Sequence, residues 1–406
     1  MSNKNIRLAM FAAIAIPVVT TVRPAAGQSY DVIDLGTLGG AESRAYAIND
    51  LGQVAGEAMT QAGESRAFLW LPEAAYGLPA GMSDLETLGG PDSAAFGLNN
   101  AGQVVGSAET GGPAVSRAFL WDPAIGEMQD LGTLPGPSVA RAINDWGEIV
   151  GTARDFQAFD QAFFRWEEGT LVLFSDLVIG DFTSEGFGIG YTGNLNFAGT
   201  TFFPAHAFKF GGETGFLQLE DLGIESSAFA MNAVNQVAGS FKADEYEHAA
   251  LWKITTPADL GTLGGTNSRA FGINEATQVV GYAETAGGDR HAFVWETDAM
   301  VDLNEQVPVD SGWLLIEARQ INGDAQIVGS GTHDGQMRAF LLTPRCSGDA
   351  NGDGVVDPLD SGYVLARLGC PVGEGDPDCD AADQNHDGLV DPLDVGFVLA
   401  RFGECE

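Results

Sequence analysis

Seven near-copies of one short strand restrict what this chain can fold into. "GQVAGEA" at residues 52–58 returns as "GQVVGSA", "GEIVGTA", "LNFAGTT", "NQVAGSF", "TQVVGYA" and "AQIVGSG". Aligned on their glycines, the copies fall at Gly56, Gly106, Gly151, Gly199, Gly239, Gly281 and Gly329. The steps are about 40–50 residues, the length of one stacked structural unit. Each unit reads the same way. An alternating strand ("RAYAIN", "AAFGLN", "RAFGIN") ends in Asn49, Asn99, Asn144, Asn232, Asn274 or Asn322. Asparagine followed by a polar or glycine residue is turn chemistry, because its amide bonds nearby backbone. The copied strand follows at once, then a variable polar loop, then a third strand ("RAFLW", "HAALW", "HAFVW"). A fourth, such as "MQDLGTL" or "MVDL", closes the unit.

Four short antiparallel strands per unit predict the blades of a β-propeller, in which each sheet packs an apolar face on the next. The fold class expected is therefore a seven-bladed all-β propeller, with the fourth unit, roughly residues 170–210, the most degenerate. The copied valines and isoleucines are core, and the glycine permits close backbone approach. Trp70, Trp121, Trp252 and Trp295 recur at the end of the third strand as core rather than as a ligand-stacking row. The chain opens with a fourth-type strand, "DVIDLGTLGG", while the seventh unit lacks one. Pairing the two closes the ring and leaves no long sheet edge open; a β-solenoid needs polar caps instead.

The grammar "DLGTLGG…SRAFGIN…QVVG…RHAFVW" resembles the HAF extracellular repeat family, whose triplet stands here as His206-Ala207-Phe208 and His291-Ala292-Phe293. The resemblance covers nearly all of residues 30–343 and implies an exported repeat protein with no assigned reaction.

The two ends differ from the array. Lys4 and Arg7 precede "LAMFAAIAIPVV", and Ala25 and Gly27 follow, so residues 1–27 read as a signal peptide. That run of about 12 apolar residues is too short to cross a hydrocarbon core that needs roughly 20, and no membrane span is expected elsewhere. The expected location is secreted, or on the cell surface of a bacterium. With 56 acidic against 19 basic side chains the net charge is −37, which argues against nucleic acid as a partner.

After residues 28–343, a short linker, 344–348, leads to residues 349–406, where the text changes to "DANGDGVVDPLD" and repeats as "DQNHDGLVDPLD". EF-hand-type loops take oxygen ligands at positions 1, 3, 5, 7, 9 and 12 around a glycine at 6. The first copy supplies Asp349, Asn351, Asp353, the Val355 carbonyl, Asp357 and Asp360. The second supplies Asp383, Asn385, Asp387, the Leu389 carbonyl, Asp391 and Asp394. Two Ca2+ ions are the expected cofactors. Each loop runs into a helix-like segment in which Asp357 and Asp391 cap, Pro358 and Pro392 start, and Gly369 and Gly403 end.

Aspartate as the last ligand, with paired loop-helix repeats, resembles a type I dockerin, a small α-helical EF-hand-like domain. That resemblance implies docking to a cohesin-like module through Pro358, Leu359, Leu365, Ala366 and Arg367, and through Pro392, Leu393, Leu399, Ala400 and Arg401. The family's common Ser-Thr pair is replaced here by Pro-Leu. All four cysteines, Cys346, Cys370, Cys379 and Cys405, lie in the last part of the chain, and an even, clustered set in an oxidising compartment reads as disulfides. Cys370–Cys379 and Cys346–Cys405 are the expected pairs, with zinc as the alternative.

Catalytic machinery is hard to find. His206, His248 and His291 share a repeat position with Arg66, Arg117, Gln161 and Arg338, which marks a strand-edge polar contact rather than a general base. His386 lies in the second loop and His333 stands alone. No GxSxG elbow occurs. Acids that enter the innermost strands, Glu42, Asp92, Glu185, Glu225 and Glu317, are placed at one channel mouth, where they could bind a cation or sugar hydroxyls or act as an acid–base pair. The expected function is a secreted, non-catalytic binding or scaffold protein with a calcium-binding dockerin-like module and an extracellular glycan as ligand. The alternative is a polysaccharide hydrolase or lyase at the channel mouth.

Overall fold

The computed structural model describes residues 29–399, apart from 113–114, 133–135, 155–160, 168, 176–177, 183–187, 193–205, 211–215, 219–224, 254–256, 309–310, 346–349, 351–355, 357, 371, 373–376 and 385–388. The signal-peptide segment lies outside the described residues, as do Gly199 and Glu185.

The strands form seven four-stranded antiparallel sheets. Blades 1, 2 and 3 span Gly39–Asp84, Gly89–Asp130 and Ser138–Ser175, and blades 5 and 6 span Ser226–Asp259 and Gly264–Asp302. Blade 7 joins Trp313–Ile321, Ile327–His333 and Gln336–Pro344 to the strand Tyr30–Asp34. That strand pairs antiparallel from Tyr30 opposite Pro344 to Asp34 opposite Phe340. The first strand therefore completes the last blade, and the edge of Gln336–Pro344 is covered.

The expected seven-bladed propeller followed by a small α-helical EF-hand-like domain is corrected on both counts. Described packing belongs to six blades; the sheet over Val178–Gln218 is described in backbone alone, and no residue of it enters a described core cluster. Its second strand is Gly188–Thr192, so Gly190, not Gly199, stands opposite the inner strand at Ile179. In the tail, the described helices are α1 (Pro358–Leu365), α2 (Pro377–Ala382) and α3 (Pro392–Leu399), of 8, 6 and 8 residues. Helices of about two turns, begun by proline, are too short for the long flanking pairs of an EF-hand, and none of the described residues forms a helix ahead of the first loop. What the tail does build is a small core of Ala350, Val356, Val364, Ala382, Val390 and Val398.

Cores lie between neighbouring blades. Leu35, Ala45, Val54 and Phe68 pack against Val328, Ala339 and Leu341 across the closure, and Leu69 and Leu71 of blade 1 pack with Val104, Phe119 and Trp121 of blade 2. Trp121, Trp252 and Trp295 are buried and Trp70 is partly so, each in its core cluster. Burying one such ring contributes about 1.5–3 kcal/mol.

The rest of the repeat grammar is hydrogen bonding between blades. Ser43 Oγ donates to the Gly36 carbonyl at 2.6 Å and accepts from Ala339 N–H in the preceding blade at 3.0 Å. Ser93 and Ser268 do the same for their neighbours. The asparagines form a chain around the axis: Asn49 Nδ2 donates to the Asn99 carbonyl (3.0 Å), Asn99 to Asn144 (2.9 Å), Asn232 to Asn274 (3.0 Å), Asn274 to Asn322 (3.1 Å) and Asn322 back to Asn49 (3.1 Å). In the turn itself the left-handed residue is the third after the asparagine, as at Gly52 (φ 69°), not the asparagine.

Candidate functional site

The inner strands carry the feature that positions side chains at the axis. In each of the seven there is a register shift, and the residue left over is Tyr46, Phe96, Arg141, Gly180, Phe229, Phe271 or Arg319. A β-bulge leaves one residue unpaired and re-aims its side chain. The repeated glycine makes the bulge possible: a Cβ at Gly56 would lie 2.0 Å from the Arg44 carbonyl oxygen, and one at Gly281 1.9 Å from that of Arg269. The bland strand "QVxG" is thus what allows its partner strand to turn an aromatic or an arginine out of the sheet.

These bulge residues touch one another from blade to blade. Tyr46 and Phe96 have centroids 5.5 Å apart, and Phe229 and Phe271 5.6 Å. Arg141 sits over Phe96 at 5.1 Å, while Arg319 lies over Phe271 at 4.3 Å and Tyr46 at 5.7 Å. Rings in such contacts gain about 0.5–1.5 kcal/mol beyond area burial, and cation–π pairs about 0.5–2 kcal/mol. Four rings and two guanidinium groups therefore form a girdle inside the propeller. Tyr46 donates its hydroxyl to Glu57 Oε1 at 2.8 Å. Burial, then the Glu57 charge and that bond, hold the Tyr46 phenol well above its ordinary range. Sequence reading missed the girdle, although its signal was present as an aromatic or arginine three residues before each asparagine.

Beyond the asparagines, at the other end of the inner strands, lies a cavity of about 230 Å3 floored by aliphatic side chains such as Ile48, Leu98 and Ile273. Asp50, Asn100, Asp145 and Glu275 stand at its rim. Asn100 Nδ2 donates to both Asp50 (3.0 Å) and Asp145 (3.1 Å), so these groups bond each other across blades.

Among the described residues, the acids expected at the opposite mouth are not assembled into one site. Glu42 pairs with Arg44 at 3.0 Å, Glu225 with Lys242 at 3.4 Å and Glu317 with Arg319 at 2.8 Å, each inside its own blade. Asp92 accepts from Ser65 N–H at 2.9 Å. The repeat histidines serve as strand-edge contacts: His248 Nδ1 meets Asp259 at 2.9 Å and His291 Nδ1 meets Asp302 at 2.6 Å. For His206 only the backbone is described.

In the tail, Cys370 and Cys379 form a disulfide with Cα atoms 5.6 Å apart. Cys346 and Cys405 lie outside the described residues, as do Asp349, Asn351, Asp353, Val355, Asp357, Asn385 and Asp387. Of the expected ligands, Asp360 and Asp394 are fully buried at 0% exposure and Asp383 at 3%. Asp391 caps α3, its Oδ1 accepting from Leu393 N–H at 2.6 Å, and Asp394 Oδ2 accepts from Asp391 N–H at 2.8 Å. No group of three metal-ligating side chains occurs among the described residues. Of the expected docking residues, Pro358, Leu359, Leu365, Ala366, Pro392, Leu393 and Leu399 are exposed. Arg367 lies over the Tyr363 ring at 3.5 Å, and Ala400 and Arg401 lie outside the described residues.

No family model matches the chain, and no curated protein does. Among solved structures it is similar to an oligogalacturonate lyase in complex with manganese, at 13% identity and TM-score 0.52, over 79% of this chain and 94% of that one. It is also similar to the β-propeller domain of the Trilobed protease from Pyrococcus furiosus (14% identity, TM-score 0.43, 64% and 81% covered). A puromycin hydrolase mutant is a third likeness (13%, TM-score 0.45, 76% and 52%). At these identities the likeness is one of fold, the β-propeller.

Proposed function

We propose that this is an exported, non-catalytic binding protein whose propeller holds a neutral extracellular glycan and whose tail binds two Ca2+ ions. The observation that carries the reading is the bulge girdle: Tyr46, Phe96, Phe229 and Phe271 are half-buried rings turned out of their sheets, next to the arginines and acids of the inner strands. Aromatic faces favour the C–H faces of pyranose rings, and paired charges beside them bond hydroxyls. A net charge of −37 disfavours a polyanionic ligand. Acid–base hydrolysis needs two carboxylates flanking one bond. Glu42, Glu225 and Glu317 are instead each held by a cation of their own blade.

Calcium fits the tail's donors. Hard divalent cations take carboxylate oxygens, and Asp360, Asp383 and Asp394, three of the acids that the loop spacing assigns as ligands, are buried together with the small tail core. When bound, the ion supplies the positive charge that lets these acids converge. Asp391 meanwhile orients its loop by capping α3. The exposed leucines Leu359, Leu365, Leu393 and Leu399 are the surface that a cohesin-like module would cover.

Affinity electrophoresis of the full chain through gels containing xylan, mannan, β-glucan or polygalacturonate tests the propeller half. Retardation by a neutral polysaccharide supports the reading, and retardation only by polygalacturonate, or by none, refutes it. Release of shortened sugars in the same gels would turn the assignment to a hydrolase or lyase. For the tail, a melt that does not move on adding chelator would remove calcium.

A further inference from the structure

One place in the ring breaks the repeat with rings and titratable groups. In blades 1, 2 and 6 the inner strand begins with a glycine facing a threonine: Gly39 opposite Thr60, Gly89 opposite Thr110 and Gly264 opposite Thr285. In blade 7 the same cross-strand pair is Trp313 opposite His333. The two rings stack in parallel, with centroids 4.7 Å apart and planes 2° from each other. His333 is not isolated, as its sequence position suggested. Its Nδ1 lies 3.1 Å from Asp34 Oδ2, on the strand that closes the propeller. Asp34 is held in turn by Gly36 N–H at 2.8 Å.

This platform borders a cavity of about 430 Å3, lined also by Asp31, Val32 and Ser311. That volume falls within the roughly 300–1,000 Å3 of small-molecule sites. Three other blades use glycine and threonine at this pair; here the indole packs on the blade 7 core, edge-on to Phe340 with centroids 6.0 Å apart, and together with the imidazole also lines the cavity.

The geometry points to a glycan subsite at this cleft: a neutral pyranose unit seated against the Trp313–His333 platform, its hydroxyls meeting Ser311 and the Asp31 and Asp34 carboxylates. Neutrality follows from the charges. Asp31 is paired with Arg345 at 2.6 Å, and Asp34 is within hydrogen-bond distance of His333 Nδ1 and accepts from Gly36 N–H, so both acids already have partners and both repel an anionic ligand. The aromatic face supplies affinity through C–H contact, and the polar rim supplies orientation. This deepens the reading given above and rests on it.

The test is isothermal titration of the full chain with cellohexaose, xylohexaose, mannohexaose and trigalacturonate. The variant is Trp313→Gly combined with His333→Thr, which places the glycine–threonine pair of the other blades here; because Trp313 also packs on the core, its melt is run alongside and only a folded variant is compared. At least one neutral hexasaccharide is expected to bind, with affinity lowered tenfold or more in the double variant. Trp313→Phe, which keeps a ring, is expected to retain most of it. Unchanged affinity in a folded double variant overturns the subsite while leaving the glycan reading standing. Preference for trigalacturonate overturns the neutral assignment. No binding by the unmodified chain removes the glycan reading and the subsite with it.

Discussion

Replacing Gly281 by alanine tests the link between the repeated strand and the girdle. The new methyl group would sit 1.9 Å from the Arg269 carbonyl oxygen and 2.9 Å from Ala270 Cα, both backbone atoms of the paired inner strand. An ordinary contact needs about 3.4 Å, so the strands must part by roughly 1.5 Å at the bulge. Two or three ladder hydrogen bonds at about 1 kcal/mol each are then lost or stretched, and overpacking adds about 1–3 kcal/mol. The expected loss is about 3–6 kcal/mol. Phe271 and Arg319 lose their contact as the bulge flattens. Urea unfolding followed by circular dichroism measures the loss. Gly112→Ala is the control, because nothing lies within 4 Å of its added Cβ. If Gly281→Ala and Gly112→Ala unfold within 0.5 kcal/mol of each other, at about the margin of a neutral surface change, the bulge does not depend on the glycine.

Other expectations follow from the same contacts. Asn274→Ala removes the buried bond to the Asn322 carbonyl and the part-buried acceptor for Gln278 N–H, and should lower stability by about 2–3 kcal/mol in a urea melt. Deleting residues 30–34 uncovers the edge of Gln336–Pro344, and light scattering should show concentration-dependent association. The folded state raises the Tyr46 phenol pKa, so its contribution is fully present below about pH 10 and lost as pH rises, because the unfolded chain ionises first. The urea midpoint should therefore fall as pH is raised above about 10, and fall less in Tyr46→Phe.

Much of the architecture was legible because its causes are local. The asparagine turns, the inter-blade serines and the glycine opposite each bulge are single residues at fixed offsets, and each leaves a repeat in the text. The first strand's place in blade 7 followed from one strand missing at the end and one to spare at the start. The degenerate unit misled, since "LNFAGTT" copies the pattern while Gly190 takes the structural position. The channel acids misled for another reason. Glu42 and Glu317 precede Arg44 and Arg319 by two residues on the same strand face, so local pairing outcompetes assembly around the axis. The girdle was overlooked because a bulge breaks the period of two on which strand reading depends. Trp313 and His333 looked unrelated in sequence, and only pairing across the sheet brings them together.

The proposal that this propeller holds a sugar without cutting it is tested most directly by native mass spectrometry of the full chain with calcium and a neutral hexasaccharide. The account predicts a species whose mass is the chain plus two Ca2+ ions plus one intact hexasaccharide. A spectrum showing the chain without sugar, or bound to shortened fragments, would contradict it.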